Sequence, residues 1–180
     1  MPVADDDVGT VNVVRGGVTR AAPLADERTT LMGMLQRQRD LVAWKVRDAS
    51  DETLRSVSMP SGLTIPGVIR HLENVERLWF RDVFAGESGL SFDWTDEEHD
   101  AEFHPSDDVP IVALLAAYAE ESARCDAVIE SASSLDQVSA TGDVSLRWII
   151  AHLVQETARH LGQLDLLREL ADGGVGEEPD

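Results

Sequence analysis

A carboxylate and an imidazole, Glu156 and His160, fall four residues apart on a stretch whose other inward positions are aliphatic. The stretch runs Ser145-Leu-Arg-Trp-Ile-Ile-Ala-His-Leu-Val-Gln-Glu-Thr-Ala-Arg-His-Leu-Gly-Gln-Leu-Asp-Leu-Leu-Arg-Glu-Leu170. At ~3.6 residues per turn, a four-residue step turns the helix roughly 40° and climbs roughly 6 Å, so the two side chains are neighbours. Ile149, Leu153, Leu164 and Leu167 share the stripe, which therefore faces a core. An unpaired buried carboxylate is costly. A divalent metal neutralises it, and asks for a third ligand from elsewhere.

His71 is the third candidate, in Ile69-Arg-His-Leu-Glu-Asn-Val-Glu-Arg-Leu-Trp-Phe80. Val68, Val75 and Leu78 share its face, so His71 points inward while Glu73 and Arg77 point elsewhere. Helix bundles build metal sites in this way, from side chains on facing helices. His152 complicates the set, because His152, Glu156 and His160 are spaced four apart. The outer two lie roughly 12 Å apart along the axis, too far for one metal with bonds near 2 Å. From spacing alone, His152–Glu156 and Glu156–His160 are equally good pairs.

The elements that must position these residues are helical. Asp26–Arg47 is the first pattern, with Leu31, Leu35, Leu41, Val42 and Val46 as core candidates. Thr64 is a natural N-cap with Pro66 in the first turn, opening a second helix that runs to about Phe84 and closes at Gly86. A third runs from about Asp108 to Ser131, with Ile111, Leu114, Leu115, Tyr118, Cys125 and Ile129 at helical spacing. The fourth runs from about Val144 to Ala171 and stops at Gly173-Gly174. The expected fold is all-α, a four-helix bundle over residues 25–171. Residues 1–24 read as an irregular arm in which Val11-Asn-Val-Val14 could add a strand, and 172–180 as a disordered acidic tail. Residues 87–107, with Phe92, Trp94, His99, Phe103 and His104, form a loop long enough to serve as a lid.

Composition narrows the function classes. The chain has 180 residues, 43% of them hydrophobic, enough for one sizeable core. Its formal net charge is −19, from 34 acidic and 15 basic residues, which argues against a phosphate-backbone-binding surface and so against a nucleic-acid partner. No apolar run approaches ~20 residues, so no membrane span is expected. Asp5, Asp6 and Asp7 with no early apolar block argue against a secretory signal, and the single Cys125 fits a reducing cytoplasm. A reactive thiolate at Cys125 is not expected, since nothing electropositive surrounds it in sequence.

Two stretches carry a resemblance: Pro60-Ser-Gly-Leu-Thr-Ile-Pro-Gly-Val-Ile-Arg-His-Leu-Glu-Asn-Val-Glu-Arg-Leu-Trp-Phe80 and Leu146-Arg-Trp-Ile-Ile-Ala-His-Leu-Val-Gln-Glu-Thr-Ala-Arg-His-Leu-Gly-Gln163. From about residue 26 to 171 the sequence resembles the DinB-like four-helix metalloproteins, in particular their thiol-dependent S-transferase branch, which is similar to mycothiol-dependent maleylpyruvate isomerase. The resemblance implies one metal-binding His on the second helix and a ligand pair four apart on the fourth. Carried over, the ligands are His71, Glu156 and His160, with Glu156 where many members have His. Two imidazoles and one carboxylate leave an open position, the pattern of a catalytic Zn²⁺ site, which nickel, iron or manganese could also occupy.

The resemblance implies a transferase that moves a low-molecular-weight thiol, mycothiol or bacillithiol, onto an electrophilic small molecule, with a homodimer as a common assembly. A metal-dependent hydrolase, a thiol-dependent isomerase and a non-catalytic metal-binding stress protein use the same site differently. Around it, Gln163 could orient His160, and Gly162 suggests a close backbone approach. Arg159, Arg70 and Arg147 read first as surface salt bridges and second as anion clamps. Trp79, Phe80 and Trp148 read as bundle core, Trp94 and Phe103 as pocket wall or loop anchor, and His99 and His104 as solvated.

Overall fold

The computed structural model describes residues 9–95 and 97–176. Asp5, Asp6 and Asp7 and the last four tail residues lie outside that range.

The bundle consists of α1 (Glu27–Val46), α3 (Ile65–Glu76), α4 (Ile111–Ser131) and α5 (Leu146–Asp172), with a short α2 (Asp51–Arg55) between the first two. Capping sets most of the boundaries. Asp26 accepts from the Thr29 N–H, Thr64 from Gly67 and Ser145 from Trp148, and Gly173 ends α5 in the left-handed conformation at φ 76°. The third bundle helix starts at Ile111 rather than Asp108 because Pro110 disfavours helical backbone at the residue before it. The free N–H of Ile111 is capped by Asp51 Oδ2 of α2 at 3.0 Å.

α3 does not end at Glu76. It continues as a π-helical segment over Arg77–Phe84, in which Ala85 donates to the Phe80 carbonyl five residues back at 3.1 Å. Such i→i+5 segments are rare and are associated with functional sites. Sequence periodicity carries no sign of it.

The stretch expected to be an irregular arm contains a hairpin. β1 (Val13–Arg15) and β2 (Val18–Arg20) pair antiparallel around Gly16 and Gly17, both at positive φ (56° and 81°), as a two-residue primed turn requires. An isolated strand pair is marginal, but this one is seated on α1. Val18 is buried in the bundle core, Thr19 N donates to Asp40 Oδ2 at 2.7 Å, and Asn12 Oδ1 accepts from Ala22 N at 2.8 Å. At the other end, residues 173–176 fold back on α1, where the Gly176 carbonyl accepts from Lys45 Nζ.

The core has two parts. Val42, Ile65, Val68, Leu72, Leu114 and Leu164 anchor one, and Leu35, Phe80, Ile129, Ile149, Ile150 and Leu153 the other. Every aliphatic residue predicted for the Glu156–His160 stripe is buried. Between α1, α3 and α4 lies a buried ion pair that sequence reading missed. Arg39 reaches Glu76 through two bonds of 2.8 and 2.6 Å, adds Asp126 at 2.8 Å, and Tyr118 donates to Glu76 at 3.1 Å. Among the described residues, no helix is long and apolar enough to cross a membrane.

The 87–107 connection folds against α3 and carries a 3₁₀ turn at Ala101–Phe103. Gly67 permits this contact, because a Cβ there would stand 2.2 Å from the Phe103 carbonyl oxygen. Gly67→Ala is therefore expected to push the loop off α3 at a cost of about 1–3 kcal/mol, read as a lower midpoint of denaturant unfolding.

Candidate metal centre

α3 and α5 bring His71, Glu156 and His160 together, with one ligand-type atom from each lying within 4.8 Å of the others. Both histidines turn Nε2 toward the same oxygen, Glu156 Oε1, at 3.3 Å from His71 and 3.1 Å from His160. The two imidazole centroids are 4.5 Å apart. His160 is buried, and His71 and Glu156 are partly buried. Two ring nitrogens and a carboxylate oxygen converging on one point make a donor set that suits a divalent transition metal.

The electrostatics fit the same reading. Burial raises the Glu156 carboxyl, but the hydrogen bond to His71 and the proximity of His160 outweigh it and hold the group below the usual carboxylate range. Burial depresses His160, His71 depresses it further, and Glu156 only partly opposes them, so the ring favours the neutral form that binds metals.

The other nitrogen of His71 is occupied. Its Nδ1 faces Glu102 Oε1 at 2.8 Å, and Glu102, on the 3₁₀ turn, also accepts from Asn74 Nδ2 at 3.1 Å. A carboxylate behind a ligating histidine fixes its tautomer and ring orientation. Phe103 stacks on the same imidazole at 4.6 Å and 22°, so the loop both orients and walls the site. Sequence reading missed Glu102 because it lies 31 residues from His71 and outside any periodic segment. Glu102→Ala is expected to weaken divalent-metal affinity about 10–100-fold, measured by competition with a chromophoric chelator.

His160 Nδ1 and Gln163 Oε1 are both buried and neither is hydrogen-bonded. They are complementary in kind, a ring nitrogen and a carbonyl oxygen one turn apart on α5. Gly162, expected at a close backbone approach, lies on the exposed face of α5, where an added Cβ would meet nothing within 4 Å.

Of the three arginines, Arg70 pairs with Glu73 at 2.8 Å, and Arg147 pairs with Glu27 and Asp136. Arg159 has no ion pair among the described residues, contrary to the salt bridge expected for it. His152 is not in the converging set. It lies in an aromatic cluster with Trp79 and Trp148. Phe80 is buried as expected, Trp79 only partly, and Trp148 is 47% exposed, so the core reading fails for Trp148. His99 and His104 are exposed. Cys125 is fully buried, and burial, with Glu76 and Glu121 nearby, pushes its thiol far up, which leaves it inert.

A family model described as mycothiol-S-transferase matches residues 30–173. No curated protein matches the chain.

Proposed function

The chain belongs to the mycothiol S-transferase family, and from that premise we propose that it transfers a low-molecular-weight thiol, with mycothiol the first candidate, to an electrophilic small molecule. In this reading His71, Glu156 and His160 hold a divalent cation, with zinc the first candidate. The observation that carries it is the convergence of two imidazole Nε2 atoms on one carboxylate oxygen, in a chain of this family. Bound there, a divalent cation supplies the Lewis acidity that keeps a thiol ionised at neutral pH.

The protein's own groups do the rest. With a cation bound, Glu102 would hold the His71 Nδ1 proton and leave the Nε2 lone pair to the cation. Asn74 steadies Glu102 and is itself gripped by Arg77, whose Nη1 donates to Asn74 Oδ1 at 2.7 Å. Arg77 is anchored in turn by Glu73 and by the fully buried Glu121. Phe103 keeps water from one face of His71. The reaction is a substitution or addition in which the thiolate sulfur forms a C–S bond to the electrophilic carbon. A leaving group departs with its bonding pair, or a conjugated double bond takes up the electrons and a proton. Cys125 is no competing nucleophile, being buried as a thiol.

The test is thiol consumption with a bimane electrophile, using mycothiol, bacillithiol and glutathione on metal-loaded and chelator-treated protein. The expected result is turnover with one thiol that is lost on chelation and restored by divalent metal. Turnover of an ester or amide without any thiol would favour a hydrolase instead.

A further inference from the structure

Behind His71, one carboxylate is gripped at both oxygens from a single helix. Glu102 Oε1 faces His71 Nδ1 at 2.8 Å, and Glu102 Oε2 accepts from Asn74 Nδ2 at 3.1 Å. His71 and Asn74 are three residues apart on α3, so they are neighbours on its surface. A single contact leaves a carboxylate free to turn about its last side-chain bond. Two contacts, one to each oxygen, fix its plane, and with it the orientation of the imidazole it holds. Glu102 is 6% exposed and Asn74 0%, so bulk water cannot take over either partner's role.

The Asn74 amide has one orientation open to it. Its oxygen accepts from Arg77 Nη1 at 2.7 Å, and its nitrogen donates a second time, to Asp93 Oδ2 at 2.9 Å. Turned end for end, the amide would set its nitrogen against a guanidinium and its oxygen against two carboxylates. Both N–H groups and the carbonyl are therefore taken. The cation on one side and the anions on the other polarise the amide in the same sense, which strengthens its bond to Glu102. Asp93 lies on the outer side of this contact, its side chain 46% exposed, and it does not reach His71. The two N–H groups of Asn74 thus lead to different places, one to the metal centre and one to the protein surface.

We propose that Asn74 is a positioning residue of the metal centre, setting the affinity for a divalent cation through Glu102 and His71 while touching neither cation nor substrate. This rests on His71, Glu156 and His160 being the ligands, and not on the identity of the thiol or the electrophile.

The test is zinc affinity, by competition with a chromophoric chelator, with cobalt(II) ligand-field spectra on the same proteins. Asn74→Ala is expected to weaken zinc binding about tenfold, the lower end of the range for outer-shell partners, and to shift the cobalt bands in the same direction as Glu102→Ala. Asp93→Ala, which removes the other acceptor of the same amide, is expected to bind as wild type does. The double variant Asn74→Ala with Glu102→Ala is expected to bind no more weakly than Glu102→Ala alone, because Asn74 then has nothing to hold. Residues acting independently would multiply their losses. If Asn74→Ala fails to fold, the isosteric Asn74→Asp carries the same comparisons, since it keeps the bond from Arg77 and sets a third carboxylate against Glu102 and Asp93. Wild-type affinity in the Asn74 variants, or losses that multiply in the double variant, overturns the positioning role. So does an equal loss in Asp93→Ala, which makes Asn74 a general anchor of the loop. A wild-type chain that binds no zinc overturns the ligand set and the positioning role with it. The expected pattern in a protein that turns over no electrophile with any thiol leaves the role of Asn74 standing and overturns the transferase reading.

Discussion

His71→Ala and His160→Ala are each expected to lower thiol-transfer kcat/KM by more than about a hundredfold, beyond the 10–100-fold typical of an outer-shell partner. The expectation follows from the donor count. Three groups converge on one point from two helices, and removing either imidazole leaves a donor pair too poor to hold a cation at micromolar supply. Neither change should unfold the bundle, because the stripe around the site is independently buried through Ile149, Leu153, Leu164 and Leu167. Far-ultraviolet circular dichroism on the same preparations separates loss of chemistry from loss of fold. His152→Ala is the informative contrast, since its ring lies among indoles and not in the converging set. It should keep its metal.

Arg39→Met is expected to be the most destabilising single change in the bundle, by about 3–5 kcal/mol, because it strands a buried carboxylate. The side chains of Arg39 and Glu76 are 4% and 1% exposed, so water cannot replace the lost partner. For a chain of this length that corresponds to a fall in Tm of roughly 6–20 °C. The double change Arg39→Met with Glu76→Met should recover most of the loss, since replacing both members of a buried pair by apolar groups is often close to neutral. A single-variant effect below about 1 kcal/mol would mean that the pair is hydrated in solution. Glu76 is also the last residue of α3 before the π-helical segment, so the same contact pins the point where that helix changes its pitch. Loss of the pair should therefore disturb Trp79 more than His71.

What the sequence made legible were the features written in periodicity and capping chemistry. The N-cap Thr64 and the stop at Gly173 could be read directly, because each satisfies a backbone group within three or four residues of itself. His71, Glu156 and His160 stood out as candidates because each is a polar residue on an otherwise aliphatic face, and the family resemblance favoured His160 over His152. The choice between His152 and His160 could not be made from spacing. In the structure His160 converges with His71 on Glu156, while Trp79 and Trp148 pack against His152 from two sides.

Glu102 was invisible for a different reason. It belongs to an aperiodic loop, and its position depends on a glycine 35 residues earlier, where the Phe103 backbone lies against α3. The Arg39–Glu76 pair was hidden because charged residues inside a helical pattern normally indicate its solvent face, and here they do not. The hairpin was half legible. A strand was suggested by Val11-Asn-Val-Val14, but the pair's stability comes from α1, and no local signal reports that.

The measurement closest to the central claim is metal content per chain, by plasma emission spectrometry, for wild type and His160→Ala purified side by side without chelator. Close to one divalent ion per wild-type chain and nearly none in the variant are expected, with both proteins folded. Equal metal content in the two, or a wild-type protein that takes up no divalent ion even on titration, would contradict that claim.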